Sequence, residues 1–391
     1  MNVPALRADT PGCAHVVHFN NAGAALMPRP VLDAQIEHLE LESRMGGYES
    51  AAATADKTAK THEAIAELVG AEASEISVVE NATRAWGAAF YGFRFEAGDR
   101  ILTARASYAS NYIAMLQVAG QRGVLIDIAP DDVHGQVDVQ ALERMITPRT
   151  RLIAITHCPT NGGLINPAED VGVVAKQHGI PYLLDACQSA GQLPLDVSRI
   201  GCDMLSATGR KFLRGPRGTG FLYVNRALAP ELEPPFLDLH AAEWVSDSSY
   251  QVHRDRRRFE TWEGNIAGKI GLGVAVKYAL DVGLEAIAER VRDLSGKLRD
   301  ALSQVDGVQV WDKGTRKSGI VTFSHATNPA GALQARLAGA GFNTSLIVPS
   351  SALLDAENRN LPDLVRASVH YYNTEDEIER FVAELARRRL S

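Results

Sequence analysis

Short apolar segments alternate with stretches of helical periodicity between residues 76 and 185, and this alternation limits the folds open to the chain. The apolar segments are ISVVE, RILTA, VLIDIA, RLIAITH and PYLLDA. Each is a continuous apolar run, which is typical of strands covered on both faces. Gly220–Val224 forms a further predicted strand. The sequence therefore predicts an α/β fold with a mostly parallel sheet flanked by helices.

Helical periodicity also precedes and follows this region. Residues 31–70 carry apolar residues at three- and four-residue spacing, interrupted at RMGGYES, where two glycines predict a loop. A long helical stretch is predicted from Asn265 to Val305. After it, strands and helices mix on a smaller scale, which predicts an α+β unit.

The length of 391 residues is enough for two domains. We predict a large domain over residues 15–275 and a smaller C-terminal domain over residues 276–391, with residues 1–14 packed against the smaller one. Mostly parallel sheets bind ligands beyond the carboxyl ends of their strands. The residues that follow each strand are therefore the candidates for function.

The charge pattern argues against two classes of partner. The net charge is −7, and no basic run is longer than the three residues of Arg256 to Arg258, so we do not expect nucleic acid binding. No apolar stretch approaches the ~20 residues of a membrane span. The N-terminus lacks the basic and apolar segments of a signal peptide. We therefore expect a cytoplasmic protein that does not bind membranes.

The cysteines show neither a CxxC pair nor a spacing typical of metal sites. They are Cys13, Cys158, Cys187 and Cys202. We expect no bound metal, and free thiols in a reducing compartment.

Two predicted strands are followed by candidate ligand groups. After ISVVE, Asn81 can cap a helix whose first turn contains Thr83. The free N–H groups of a helix start bind phosphate, although an ordinary cap has the same sequence. Tyr108 follows RILTA and is compatible either with core packing or with stacking on a flat ligand ring.

Polar residues also follow RLIAITH and PYLLDA. Thr160 and Asn161 lie on a predicted turn, where they either form the turn or bind a ligand. Asp185 ends an apolar strand, and a buried carboxylate needs a partner. That partner is either a helix N-terminus or a protonated ring nitrogen. Gln188, three residues later, is positioned to reach the same ligand.

Lys211 lies between Arg210 and Arg214 in the stretch SATGRKFLRGPRGTGFLYV. Nearby cations and restricted water lower the pKa of a lysine. The neutral amine is the nucleophile that a Schiff base requires. A solvated surface lysine is the structural alternative. The glycines of this stretch favour the first interpretation, because they allow tight turns and a close approach to a ligand.

A helix start, an aromatic residue, a polar turn, Asp185-x-x-Gln188 and Lys211 thus follow successive strands of one predicted sheet. This order resembles the class V aminotransferase family of fold-type I pyridoxal-phosphate enzymes. The resemblance extends from FNNAGAALMPRPV to RASVHYYNTEDEIERFV, and the latter is similar to the matching segment of cysteine desulfurases. GGYES, SYASN and GRKFLRGPRGTGFLYV look most similar to the subgroup of hercynylcysteine sulfoxide lyase and isopenicillin N epimerase-like proteins.

The resemblance implies pyridoxal 5'-phosphate as the cofactor. Lys211 would form the Schiff base with it and later move the substrate α-proton. Asp185 would hold the pyridine nitrogen protonated, which makes the ring an electron sink. Gln188 and Thr160 would bind the phenolic oxygen, and Tyr108 would stack on the ring.

The phosphate of the cofactor would be held by Ala82, Thr83, Thr208 and Arg210. In many family members a neighbouring subunit also reaches this phosphate. The resemblance therefore implies a homodimer with the active site near the subunit interface, and a contribution from residues 258–265.

The implied substrate is a small amino acid. Arg366, in LVRASVHYYN, would bind its α-carboxylate through a two-pronged pair, the geometry that a guanidinium favours. Asn21 and Tyr48 are the further substrate-binding candidates. Lys211, Asp185 and Tyr108 are the catalytic candidates, with Tyr108 or Tyr48 as an acid near the leaving group.

The family offers several reactions. A cysteine desulfurase needs a cysteine on the loop before Arg366, and GFNTSLIVPSSALLDAENRNLPDLVR contains none. We therefore expect a carbon–sulfur β-lyase that acts on a cysteine conjugate or sulfoxide. An aminotransferase or an epimerase is the alternative; a desulfurase or a non-enzymatic relative is less expected.

Overall fold

The computed structural model describes residues 1–387. The helices are α1 Val3–Ala8, α2 Asn21–Ala24, α3 Arg29–Met45, α4 Gly47–Ala53, α5 Ala55–Val69, α6 Ala82–Phe90, α7 Ala109–Arg122, α8 Val139–Arg144, α9 Ala168–His178, α10 Val197–Ile200, α11 Ile266–Val282, α12 Leu284–Ser303, α13 Ala330–Gly339, α14 Leu353–Arg359 and α15 Glu375–Ala386. The strands are β1 Val17–His18, β2 Ile76–Val79, β3 Arg100–Ala104, β4 Leu125–Ala129, β5 Thr150–Thr156, β6 Tyr182–Asp185, β7 Met204–Thr208, β8 Gly220–Val224, β9 Ala242–Ser246, β10 Ser249–Val252, β11 Val308–Val310, β12 Ile320–His325, β13 Phe342–Asn343, β14 Ser345–Ile347 and β15 Leu364–Ser368.

A seven-stranded sheet forms the centre of the molecule, in the order β2-β8-β7-β6-β5-β3-β4. All its strands run in one direction except β8, which is antiparallel to both of its neighbours. Helices flank the sheet, and its central strands are buried along their whole length. The predicted α/β fold with a mostly parallel sheet is confirmed.

The C-terminal part contains a four-stranded antiparallel sheet in the order β11-β12-β15-β14. The N-terminal strand β1 pairs in parallel with β13 of this region. Arg7 forms an ion pair with Glu377 at 2.8 Å and donates to the carbonyl oxygen of Tyr372. The division into domains at residues 275 and 276 stays a prediction; residue 275 lies within α11.

Several local features differ from the sequence-based expectation. Helix α4 begins at Gly47 inside the predicted loop, because Gly46 alone, with φ of +97°, redirects the chain after α3. Strand β7 and the hairpin β9–β10 were not predicted. Strand β7 lacks a continuous apolar run, because it ends in Ser206-Ala-Thr208. The predicted long helix is divided into α11 and α12 at Gly283, which has φ of +90°. In the part of the chain that the structure describes, no helix is long and apolar enough to cross a membrane.

One buried cation connects the two ends of the chain to the turn that carries Lys211. The Arg214 guanidinium donates to the Leu26 carbonyl oxygen at 2.8 Å, to the Tyr371 hydroxyl at 2.6 Å and to Thr10 Oγ1 at 2.6 Å. Its backbone N–H donates to the Lys211 carbonyl oxygen. Arg214 also adopts φ of +61°, a conformation that is uncommon for residues other than glycine. These contacts hold the turn, the N-terminal segment and the C-terminal segment in one arrangement.

We expect Arg214→Met to lower the free energy of unfolding by about 3 kcal/mol, because buried acceptors lose a charged donor. Chemical denaturation followed by circular dichroism measures this change. Arg226→Met, at an exposed position, is the matched control and should stay within about 0.5 kcal/mol of the wild type. Equal stability of the two variants would contradict the structural role of Arg214.

Candidate active site

A cavity of about 470 Å³ lies beyond the carboxyl ends of the central strands. All nine residues that the sequence predicted to bind a cofactor line it: Ala82, Thr83, Tyr108, Thr160, Asp185, Gln188, Thr208, Arg210 and Lys211. A larger groove of about 950 Å³ lies beside the hairpin β9–β10, but it contains none of these residues. The smaller cavity is therefore the candidate active site.

The turn after β7 depends on close backbone contacts that exclude side chains. A Cβ atom on Gly209 would lie 2.3 Å from Thr219 Oγ1. A Cβ atom on Gly220 would lie 2.8 Å from the carbonyl carbon of Asn81, at the start of α6. The glycines thus let the lysine turn, strand β8 and the helix start converge, and the turn places Lys211 in the cavity wall.

Lys211 is 9% exposed, and its burial lowers the pKa of its amine. Asp185 and Cys187 oppose this shift, while Arg210 and Arg366 favour it. The predicted direction is therefore correct, and so are two of the predicted causes, restricted water and Arg210. Arg214, which the sequence placed beside Lys211, has its guanidinium in the hydrogen bonds described above, and Arg366 is the second cation that acts on the lysine.

Asp185 is a buried carboxylate that the protein satisfies only with neutral donors. Asn111 Nδ2 donates to its Oδ2 at 2.8 Å, and the Cys187 backbone N–H donates to its Oδ1 at 3.0 Å. No lysine or arginine among residues 1–387 forms an ion pair with Asp185. A buried carboxylate is stable when a cation pairs with it. This carboxylate therefore fits a ligand with a protonated nitrogen, such as a pyridinium ring.

Thr160 connects Gln188, which lines the cavity, to Arg366, which does not line it. Its Oγ1 accepts from Arg366 Nη1 at 2.6 Å and from Gln188 Nε2 at 3.1 Å. A hydroxyl has two acceptor positions and one donor, so the Thr160 O–H remains free to donate to an anionic or phenolic oxygen. Gln188 Oε1 is buried and has no partner within the described residues.

Arg366 is a buried cation without a carboxylate partner in the described chain. Besides Thr160, it contacts Asn20 Oδ1 at 3.3 Å, and its Nε is buried without a partner. Burial lowers the pKa of Arg366 to about 10, and the nearby Arg210 adds to the effect. An arginine in this state favours an incoming anion, and a carboxylate matches its planar donors.

The start of α6 supplies the other end of the cavity. Asn81 caps the helix by accepting from the Arg84 backbone N–H at 3.0 Å, as the sequence predicted. Ala82 and Thr83 follow in the first turn and line the cavity, so their backbone N–H groups suit a phosphate. Arg210 also lines the cavity, and its guanidinium donates to the Gly23 carbonyl oxygen.

Tyr108 is placed where the sequence expected it. Its ring centroid lies 5.9 Å from Lys211 Nζ, and its backbone N–H donates to Thr156 Oγ1 at 3.2 Å. The side chain is partly exposed towards the cavity. The ring is thus available to a flat ligand held between β6 and α7.

Two predicted substrate-binding residues lie elsewhere. Asn21 is fully buried, and its amide bonds the Ser368 carbonyl oxygen at 2.7 Å and the Tyr372 hydroxyl, so the fold uses its polar atoms. Asn20, and not Asn21, contacts Arg366. Tyr48 is 72% exposed on α4 and does not line the cavity.

Asn111 and Ser206 are among the cavity residues that were not singled out from the sequence. Asn111 was hidden within the helical stretch SNYIAMLQVAG, where asparagine gives no catalytic signal. Ser206 Oγ lines the cavity and is buried without a partner in the described chain. Its strand, β7, was not predicted either.

The comparisons with known proteins agree with this geometry. The family model "Aminotransferase class-V" matches residues 17–381. A probable cysteine desulfurase of Xylella fastidiosa (strain 9a5c) is 31% identical, with 97% of this chain and 94% of that protein covered. The apo structure of a cysteine desulfurase from Thermococcus onnurineus NA1 superposes with a TM-score of 0.90 at 27% identity, covering 99% and 98% of the two chains. A cystine C-S lyase, solved with its reaction product cysteine persulfide, has a TM-score of 0.86 at 24% identity and covers 96% and 99%.

The match over residues 17–381 settles the family, and the Asp185 carboxylate, which has only neutral donors, and Gln188 Oε1, which has no partner within the described residues, fit its cofactor. The chain belongs to the class V aminotransferase family and is a pyridoxal-phosphate-dependent enzyme that acts on an amino acid.

Proposed function

We propose that the protein is a carbon–sulfur β-lyase acting on a cysteine conjugate or its sulfoxide. A conjugate R–S–CH2–CH(NH3+)–COO− and one water would give the thiol R–SH, pyruvate and ammonium. A sulfoxide would give the sulfenic acid in place of the thiol. The observation that carries this proposal is the absence of a thiol that could act as a nucleophile towards the substrate sulfur.

The segment before Arg366, residues 341–363, contains no cysteine. Cys158 and Cys187 line the cavity, but burial raises the pKa of both thiols far above the usual range, and the Asp185 carboxylate adds to the effect. The thiolate is the reactive form of cysteine. This shift disfavours the thiolate of both residues, so they are poorly suited to take a sulfur atom from a substrate.

The cavity residues suit an elimination in which no sulfur is transferred to the protein. Pyridoxal phosphate, when bound, supplies an electron sink for the pair left at the substrate Cα. We assign Lys211 Nζ as the covalent attachment point and as the base that moves the Cα proton. Asp185 would pair with the ring nitrogen, and Arg366 would orient the substrate carboxylate. We assign Tyr108, whose ring centroid lies 5.9 Å from Lys211 Nζ, as the acid that would give a proton to the leaving sulfur.

The curated relatives point to a different reaction on the same substrate class. Several are named probable cysteine desulfurase. A desulfurase would release alanine and leave a persulfide on the enzyme, whereas a lyase leaves pyruvate and an unmodified protein. An aminotransferase would require a keto acid, and an epimerase would return the proton to the opposite face of Cα. Analysis of the products therefore distinguishes the lyase, desulfurase, aminotransferase and epimerase reactions.

We expect pyruvate and thiol in equal amounts when the holoenzyme is incubated with S-substituted cysteines, and pyruvate with the sulfenic acid when it is incubated with their sulfoxides. Cys158→Ser and Cys187→Ser should keep this activity, because neither thiol takes part. Cys13→Ser, outside the cavity, is the matched control, and Lys211→Ala should be inactive. Incubation with free L-cysteine that gives alanine and a persulfide on Cys158 or Cys187 would establish a desulfurase instead; mass spectrometry detects the persulfide.

We expect Arg366→Ala to lower kcat/KM for amino acids by roughly 10- to 150-fold, since a charge-assisted contact is worth ~1.5–3 kcal/mol. Arg366→Lys keeps the charge but not the planar fork, so it should recover only part of the loss. The visible absorbance of the bound cofactor serves as the control for an intact site. If Arg366→Ala has an unaltered kcat/KM, another group must bind the α-carboxylate of the substrate.

We also propose a homodimer with the active site near the subunit interface. Leu32, Ile36 and Leu39 lie at positions i, i+4 and i+7 of α3, and all three are exposed. They form one stripe along the helix. Tyr48 on α4 and Trp262, in the segment that the family resemblance places at the partner's phosphate, are exposed as well. Exposed apolar groups of this size favour a protein partner.

Sedimentation equilibrium of the purified protein should give twice the mass of the chain. Ile36→Glu should shift it towards the monomer, because a charge would be buried in the interface. Glu40→Gln, at an exposed position of the same helix, is the matched control. A wild-type monomer with full activity would contradict the proposal.

A further inference from the structure

We propose that Asn111 is the positioning residue that orients Asp185 towards the cofactor. Asn111 lies in the first turn of α7, three residues after Tyr108. It lines the cavity and is 7% exposed. Because a carboxylate only accepts hydrogen bonds, the amide nitrogen of Asn111 must face Asp185, and Nδ2 lies 2.8 Å from Oδ2. The inference rests on the proposed role of Asp185 and not on the identity of the substrate.

The hydrogen bonds of Asp185 leave its orientation almost fixed. Oδ1 accepts from the Cys187 backbone N–H and Oδ2 from the Asn111 amide, so each oxygen has one donor from the protein. A carboxylate has about four acceptor directions. The remaining ones are available to a ligand in the cavity. Without Asn111, the carboxylate would be held on one side only and could rotate away from the ring nitrogen.

Asn111 also connects the two groups that would contact the cofactor ring. Its backbone N–H donates to the Tyr108 carbonyl oxygen, and the Tyr108 N–H donates to Thr156 Oγ1 at the end of β5. The start of α7 is thus attached to the sheet both through Tyr108 and through the Asn111–Asp185 hydrogen bond. A single side chain thereby sets the position of the carboxylate relative to the aromatic ring.

Two variants of the full-length holoenzyme test the role. Asn111→Leu keeps a similar volume and removes the donor, so the variant should lose pyridoxal phosphate about tenfold faster on dilution, which corresponds to ~1.4 kcal/mol. The pH midpoint of the visible absorption of the bound cofactor should also differ from that of the wild type. The matched control is Asn166→Asp, because the Asn166 side chain is buried. Its amide accepts from the Val137 backbone N–H and donates to the Thr156 carbonyl oxygen. This control variant should lower thermal stability without changing the absorption profile.

Asn111→Asp makes the sharper prediction, because it keeps the shape and replaces the donor with a second carboxylate. Two adjacent carboxyl groups share one proton at low pH and repel each other when both ionise. The variant should therefore hold the cofactor at acidic pH and lose it as the pH rises. Asp185 influences the pKa values of Lys211, Cys158 and Cys187. The Asn111→Asp variant retains all three residues.

A double-mutant cycle separates this inference from the proposed role of Asp185. In an Asp185→Asn background, Asn111→Leu should cause no further change in the absorption profile. Wild-type cofactor retention and absorption in both Asn111 variants, with only thermal stability reduced, would make Asn111 a structural residue and overturn the inference. Wild-type behaviour of Asp185→Asn alone would instead refute the role of Asp185.

Discussion

The site depends on buried charges that the protein does not pair with each other. Asp185 receives only neutral donors, Arg366 has no carboxylate partner among the described residues, and Lys211 is kept largely out of water. Each arrangement is costly for a protein alone and becomes favourable when a ligand of the opposite charge binds. The cavity thus matches a pyridinium near Asp185 and a carboxylate near Arg366. The free energy of these unpaired charges is available for binding both molecules in fixed positions.

The topology explains how such charges can be assembled. Strands β5, β6 and β7 run in parallel, so the residues after them meet at one edge of the sheet. Strand β8 runs in the opposite direction, and its first residue, Gly220, lies against the start of α6. The phosphate end and the lysine turn are therefore parts of one packed unit. Arg366 comes from β15 of the other sheet and reaches the cavity through Thr160.

Several candidate cofactor residues could be located from the sequence because they follow strands that are recognisable by their apolar runs. Thr208, Arg210 and Lys211 belong to or follow β7, which lacks such a run, and were located from the glycine-rich stretch and the family resemblance instead. Asp185 and Gln188 follow PYLLDA, and the structure places both in the cavity wall. The substrate residues could not be located in this way. Asn20 and Asn21 are adjacent and chemically equal, and only the path of the backbone decides that Asn20 contacts Arg366. Asn111 could not be located from the sequence either, because its hydrogen-bond partner, Asp185, is 74 residues away in the chain.

The choice of a lyase over a desulfurase in the proposed function rests on the segment that leads to Arg366, and not on the cofactor residues. Strand β14 pairs with β15, with Ser345 opposite Arg366, so this segment is attached to the strand that would hold the substrate carboxylate. Beyond it, Ser351 Oγ lies 2.9 Å from Asn161 Nδ2, next to Thr160. A desulfurase would need a free thiolate from this segment, whereas here the side chain that contacts the Thr160 turn is a hydroxyl already engaged in hydrogen bonds. Such a segment can cover the substrate but has no group that accepts its sulfur. This arrangement favours the proposed elimination, in which the sulfur would leave with the product.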